Sequence, residues 1–190
     1  MSFVSVVAEE TYITVVCDGL KVTTHGDGRQ ERDEHYQKYR FIGPKQFIAF
    51  TGHVRPCEYL IEGYPQLEEG YDLDQVALEL KGKIRGYAFE PNERALIVVG
   101  GVSNGEIVLH YFDHETPNGD IFRKPKGSNM TYILLESPNT EDGISESFKP
   151  FLIGAQSPEQ VLQIQELFNS LVSVVDPSVN TVTYKELIYL

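Results

Sequence analysis

Ser2 is the residue whose position carries the most chemical information. A serine that follows an initiator methionine becomes N-terminal when that methionine is removed, and a small second residue permits removal. A free α-amine beside a hydroxyl is a self-contained catalytic pair. The amine titrates at about pH 8 and takes the hydroxyl proton as general base. Serine is also common at position two for reasons unrelated to catalysis, so the rest of the chain has to decide. The other reactive side chains form no constellation. His25, His35, His53, His110 and His114 show no metal-ligand spacing with Cys17 and Cys57. Asp113-His114-Glu115 reads as a polar hairpin loop. His53 reads as a surface histidine that could also contact a substrate. Gly100-Gly101 lacks the following Lys-Ser/Thr of a P-loop. Neither a metal nor another cofactor is expected.

The elements that would have to position Ser2 begin immediately. Phe3 to Val7 and Thr11 to Cys17 are apolar, β-branched runs around a Glu9-Glu10 turn, and Lys21 to Thr24 is a short third strand after Asp18-Gly19. Gly26 to His35 reads as a loop. Lys38 to Ile42 and Gln46 to Thr51 form a hairpin around Gly43-Pro44. Pro56 to Ile61 predicts a short helix. A second helix follows Asp72, which has capping-box spacing to Gln75, with Leu73, Val76, Ala77, Leu80 and Ile84 on one face. Strands are expected at Ala95 to Val99, Glu106 to Phe112, Met130 to Leu135 and Phe151 to Ile153, with loops over Asp113 to Asp120 and Ser137 to Ser147. Ser157-Pro158-Glu159-Gln160 opens a last helix with buried stripe Val161, Ile164, Phe168, Leu171 and Val175, closed by Asp176-Pro177 before a short tail. This order points to layered α+β packing.

Several of these segments, in order, resemble the proteasome β-subunit and HslV family of N-terminal-nucleophile (Ntn) hydrolases. The opening Ser2-Phe-Val-Ser-Val-Val, followed by Thr11-Tyr-Ile-Thr-Val-Val-Cys-Asp18-Gly19, resembles the family's first two strands, with Asp18 sixteen positions after Ser2. Gln37-Lys38-Tyr39-Arg40-Phe41-Ile42 is similar to the strand carrying the family's catalytic lysine. Phe47-Ile-Ala-Phe-Thr51-Gly52 is similar to the strand ending in its oxyanion glycine. Ala95 to Gly101 and Leu109 to Asp113 resemble the paired strands after the helices. Phe151-Leu-Ile-Gly154 resembles the last strand–helix junction.

The resemblance implies a four-layer αββα Ntn-hydrolase sandwich, an α+β fold, built as one domain over residues 1–190. It implies Ser2 as nucleophile with its own α-amine as base. Lys38 would lower the hydroxyl pKa, Asp18 would hold Lys38, and the Gly52 N–H would stabilise the oxyanion. Phe50 and Val54 would line an apolar specificity pocket. A peptide or amide substrate, a homo-oligomer such as a ring, and an ATPase partner follow from the same resemblance. Plainer readings stand beside these roles: Asp18-Gly19 as a turn, Lys38 as a solvated strand residue and Gly52 as a strand terminator; Ser157 matches a family serine near the site, but its place as a helix cap explains it fully. The chain also departs from the family pattern. The loop between Asp18 and Lys38 is longer, Gly154-Ala155-Gln156 replaces Gly-Ser-Gly, and Asp176-Pro177-Ser178 echoes Asp-x-x-Ser imperfectly. The alternative is a catalytically silent homologue that acts by assembly or binding, which a retained Met1 would favour. An unrelated α+β binding protein is the third reading.

Composition excludes other classes. The 190 residues suit one domain, and apolar and charged fractions of 41% and 23% are those of an ordinary globular protein. With 16 basic and 28 acidic residues the net charge is −12, which repels phosphate backbones and makes nucleic acid an unsuitable partner. No apolar run is long enough to span a bilayer, and the N-terminus does not read as a signal peptide. Two cysteines make no disulfide framework. A cytoplasmic protein without membrane association is expected.

Overall fold

The structure, a computed structural model, describes residues 2–116, 119, 121–127, 129–136 and 144–190, without the side chains of 144 and 145. Its elements run β1 (Val4–Ala8), β2 (Tyr12–Asp18), β3 (Lys21–Thr24), β4 (Gln30–Asp33), β5 (Tyr39–Gly43), β6 (Gln46–Gly52), α1 (Val54–Ile61), α2 (Leu73–Gly86), β7 (Ala95–Ser103), β8 (Glu106–Asp113), β9 (Ile121–Arg123), β10 (Thr131–Leu135), α3 (Ile144–Ile153), α4 (Pro158–Val175) and β11 (Thr183–Tyr189).

Two antiparallel sheets carry the fold. One has strand order β10-β1-β2-β11, the other β5-β6-β7-β8-β9, and β3-β4 stands apart as a two-stranded ribbon. Val4, Val6, Ile13 and Val15 of the first sheet meet Phe47, Ala49, Val98 and Leu109 of the second in a buried apolar inter-sheet core. The outer face of the second sheet is covered by α1 and α2, through Leu60, Leu73, Val76 and Leu80 packed on Ile48 and Ile97. The outer face of the first is covered by α3 and α4, through Phe148, Leu152, Val161 and Phe168 packed around Phe3 and Val7. The result is the four-layer αββα sandwich. It explains why β1 and β2 are apolar at nearly every position: both of their faces are covered, so no solvent side calls for polar alternation.

The helix caps follow the sequence. Asp72 accepts from the N–H groups of Asp74 and Gln75, although the Gln75 amide turns to Glu79 and does not close a box. Ser157 accepts from Gln160 N–H with Pro158 in the first turn, while Gln160 accepts from Gln156 N–H at 2.7 Å.

Five expectations are corrected. The segment 26–35 contains β4, whose four residues are all polar and exposed and so carry no apolar signal; β3 supplies the pairing. Residues 151–153 are the end of α3 and not a strand. A short apolar run does not separate helix from strand, and the helix places Phe148 and Leu152 on one buried face, with the Phe148 ring 4.7 Å from Phe168. Of the 137–147 loop, residues 144–147 belong to this helix and 137–143 lie outside the described residues. The tail is β11, which pairs with β2 from Thr183↔Asp18 to Tyr189↔Tyr12; as an edge strand it carries Lys185 and Glu186, which hide its pattern. In α4 the buried stripe is Val161, Gln165, Phe168, Asn169 and Val172, whereas Leu171 and Val175 are about half exposed. Two buried amides shift the apparent apolar face by part of a turn. Strand β9 is a three-residue edge that went unread, and of the 113–120 loop, residues 117, 118 and 120 lie outside the described residues.

Candidate active site

Strand β1 runs antiparallel to β2, and this pairing sets the start of the chain against the end of β2. Phe3 N–H donates to Asp18 Oδ1 at 2.8 Å, and Asp18 N–H donates back to the Phe3 carbonyl at 3.1 Å. Phe3 is wholly buried under α4, its ring 6.0 Å from Phe168, so the residue after Ser2 is held by both packing and hydrogen bonds.

Lys38 immediately precedes β5. Its carbonyl accepts from Phe50 N–H at 2.9 Å, which ties it to β6, and its own N–H lies 3.4 Å from Cys17 Sγ. Its Nζ reaches Asp18 twice, at 2.6 Å from Oδ2 and 2.9 Å from the main-chain carbonyl. Asp18 Oδ2 also accepts from Leu20 N–H at 2.9 Å. The pair is deeply buried: Asp18 is 0% and Lys38 3% exposed. Lys38 is therefore a buried ion-pair partner and not a solvated strand residue. A buried charge pair persists only when its remaining hydrogen-bonding capacity is met, and the Phe3 and Leu20 amides do this for the carboxylate. Burial pulls the Lys38 pKa below 10.5, and the Asp18 carboxylate partly offsets the effect. The neighbouring Cys17 thiol is pushed up to about 12 by burial and stays protonated at neutral pH.

Gly52 ends β6 with φ +116°. A Cβ there would lie 2.2 Å from the Arg94 carbonyl oxygen, so only glycine lets β6 end against this backbone. His53 caps the start of α1; its Nδ1 accepts from Arg94 N–H at 3.0 Å, which leaves the proton of the neutral ring on Nε2.

Ser2, Lys38, Phe50, Gly52 and Val54 line one cleft of about 1320 Å³, and Asp18 sits behind Lys38. The six residues singled out in the sequence thus belong to a single region. One wall was not foreseen. Tyr36 packs edge-on against Phe50 at 6.4 Å, donates to Glu58 Oε1 at 3.1 Å, and carries the Lys21 ammonium 4.6 Å above its ring. Lys21 and Glu58 are 3.8 Å apart. The pocket beside Gly52 is therefore part aromatic and part charged, not simply apolar. The available signal was spacing: Tyr36 stands two residues before Lys38, on the same side of an extended segment.

A buried ammonium lining the same cleft as a hydroxyl can favour the ionised form of that hydroxyl. Comparison with solved structures identifies the fold. HslV from Trypanosoma brucei aligns over 99% of both chains with a TM-score of 0.65 at 14% identity. Anbu, described as an ancestral beta-subunit, from Yersinia bercovieri aligns over 98% of this chain and 81% of its own, with a TM-score of 0.71 at 11% identity. The chain has the proteasome-like Ntn-hydrolase fold. Anbu from Pseudomonas aeruginosa, a structure described as a helical assembly, gives the same coverage with a TM-score of 0.69 at 14% identity. No protein-family model and no curated protein matches the sequence. In the proteasome-like fold seen here, the residues just before β1 and β5 and the end of β6 line one cleft, with the end of β2 behind Lys38.

Proposed function

We propose that this chain is an Ntn hydrolase that cleaves peptide or amide bonds with Ser2 as nucleophile. The observation that supports it best is the Phe3–Asp18–Lys38 network, which fixes a buried ammonium beside the start of β1 in a cleft also lined by Ser2 and Gly52.

The chemistry requires removal of Met1, which lies outside the described residues. The Ser2 α-amine freed by that removal takes the Oγ proton as Oγ attacks the substrate carbonyl carbon, and the C=O π electrons move to oxygen. Lys38 lowers the cost of the developing alkoxide, and the Gly52 N–H donates to the oxyanion. Collapse of the intermediate breaks the C–N bond, and the α-ammonium returns its proton to the leaving amine. Water, deprotonated by the same amine, then attacks the Ser2 ester carbonyl, and as the Oγ–C bond breaks the α-ammonium returns the proton to Oγ and the acid leaves. Phe50, Val54 and Tyr36 contact the substrate side chain.

The same reading takes residues 1–190 as one domain working as a homo-oligomer in the cytoplasm, either a ring with an ATPase partner or a helical array such as that described for Pseudomonas Anbu. Among the described residues no helix is long and apolar enough to cross a membrane. A second reading, a catalytically silent homologue acting by assembly or binding, applies if Met1 is retained, because the amine is then one residue away from the hydroxyl. The test is a peptide library digested by the purified protein, with cleavage products identified by mass. Cleavage that disappears in Ser2→Ala supports the enzyme; no cleavage together with retained Met1 supports the silent homologue.

A further inference from the structure

The peptide unit between Asp18 and Gly19 is held at both ends. Its carbonyl accepts from Lys38 Nζ at 2.9 Å. Its N–H donates to Asn180 Oδ1 at 2.9 Å and to the Val182 carbonyl at 2.8 Å. In a trans peptide the C=O and N–H point in opposite directions, so an acceptor on the N–H side polarises the carbonyl on the other, and hydrogen bonds in such a chain strengthen one another. Asn180 is itself anchored from two sides. Its carbonyl accepts from the buried Asn169 side chain of α4 at 2.8 Å, and its Nδ2 donates to the Glu34 carbonyl at 3.3 Å. Gly19 permits this approach: a Cβ there would lie 2.6 Å from the Glu34 carbonyl oxygen.

We propose that Asn180 is a positioning residue for the Lys38–Asp18 pair, acting through the Asp18–Gly19 peptide. It lies between α4 and β11, far from Lys38 in sequence, and makes no bond to either member of the pair. Its amide oxygen orients and polarises the carbonyl that receives the lysine, and its amide nitrogen fixes the base of the β3–β4 ribbon whose first strand lines the cleft. The catalytic consequence rests on the proposed role of Ser2; the coupling to Lys38 does not.

The test follows the Lys38 side-chain resonance against pH by NMR in three proteins: the natural chain, Asn180→Ala and Asn180→Asp. Both variants lose the bond to Glu34, so a merely structural role moves both the same way. The proposal expects opposite behaviour. Asn180→Ala lowers the Lys38 titration midpoint by about half a pH unit, since one ordinary hydrogen bond is withdrawn from the relay. Asn180→Asp keeps or raises it, because the acceptor oxygen remains and gains charge. Where hydrolysis is measurable, Asn180→Ala lowers kcat about three- to tenfold with KM unchanged, and Asn180→Asp retains more of it. Equal displacement in both variants, or none in Asn180→Ala, overturns the proposal. A divergent titration in a protein that cleaves nothing leaves the coupling standing and removes the hydrolase reading.

Discussion

Phe3 and Asp18 are bonded in both directions: Phe3 N–H to the carboxylate at 2.8 Å, and Asp18 N–H to the Phe3 carbonyl at 3.1 Å. The residue that receives the Lys38 ammonium is therefore the residue that fixes the start of β1. Nucleophile placement and lysine placement depend on one carboxylate. Asp18→Asn is expected to weaken activity through both routes, lowering kcat more than it raises KM. Steady-state kinetics on a cleaved peptide checks the split.

Lys38→Ala leaves the Asp18 carboxylate buried without its counter-charge. Breaking a buried pair from one side costs about 3–5 kcal/mol, so a clear fall in thermal unfolding temperature is expected together with loss of most activity. The double variant Lys38→Met/Asp18→Asn should recover part of the stability and none of the activity, since coupled sites do not add. Thermal melts of the single and double variants measure this.

The pH profile carries the sign of the Lys38 perturbation. Activity should rise as the Ser2 α-amine loses its proton at about pH 8. It should fall again as Lys38 loses its ammonium proton, and because burial pulls that pKa below 10.5, the falling limb lies below 10.5. A kcat/KM profile that still climbs beyond pH 10.5 would contradict the role given to Lys38.

Much of this was legible in the sequence because the buried strands are apolar on both faces, and because Asp18 and Gly52 end strands while Ser2 and Lys38 stand just before them. What escaped was polar. β4 has only Gln, Glu, Arg and Asp, and β11 interleaves Lys185 and Glu186 with its apolar residues, so neither shows the alternation that marks a strand. Residues 151–153 read as a strand from three apolar positions, yet the period that mattered was Phe148 to Leu152. In α4, Gln165 and Asn169 are fully buried; Gln165 donates to Ser5, and Asn169 to Asn180. Both partners lie outside α4, one 160 and one 11 residues away in sequence, so the helix period that marks a buried stripe does not show them.

Gly52→Ala separates the glycine's two roles. The +116° φ and the 2.2 Å approach to the Arg94 carbonyl make the substitution strained whatever happens in catalysis. A loss of roughly 1–3 kcal/mol in stability is expected, with kcat reduced by more than thermal melts below the transition explain.

Self-assembly gives a further check. Light scattering at working concentration should report a multiple of the 21.5 kDa chain. A monomer at every concentration would contradict the oligomer.

The most direct test of the central claim is peptide-mapping mass spectrometry after incubation with an acylating peptide β-lactone. The expected result is a chain that begins at Ser2, lacks Met1, and carries one acyl group on Ser2, absent in Ser2→Ala. A chain that keeps Met1 and carries no acyl group on Ser2 would contradict it.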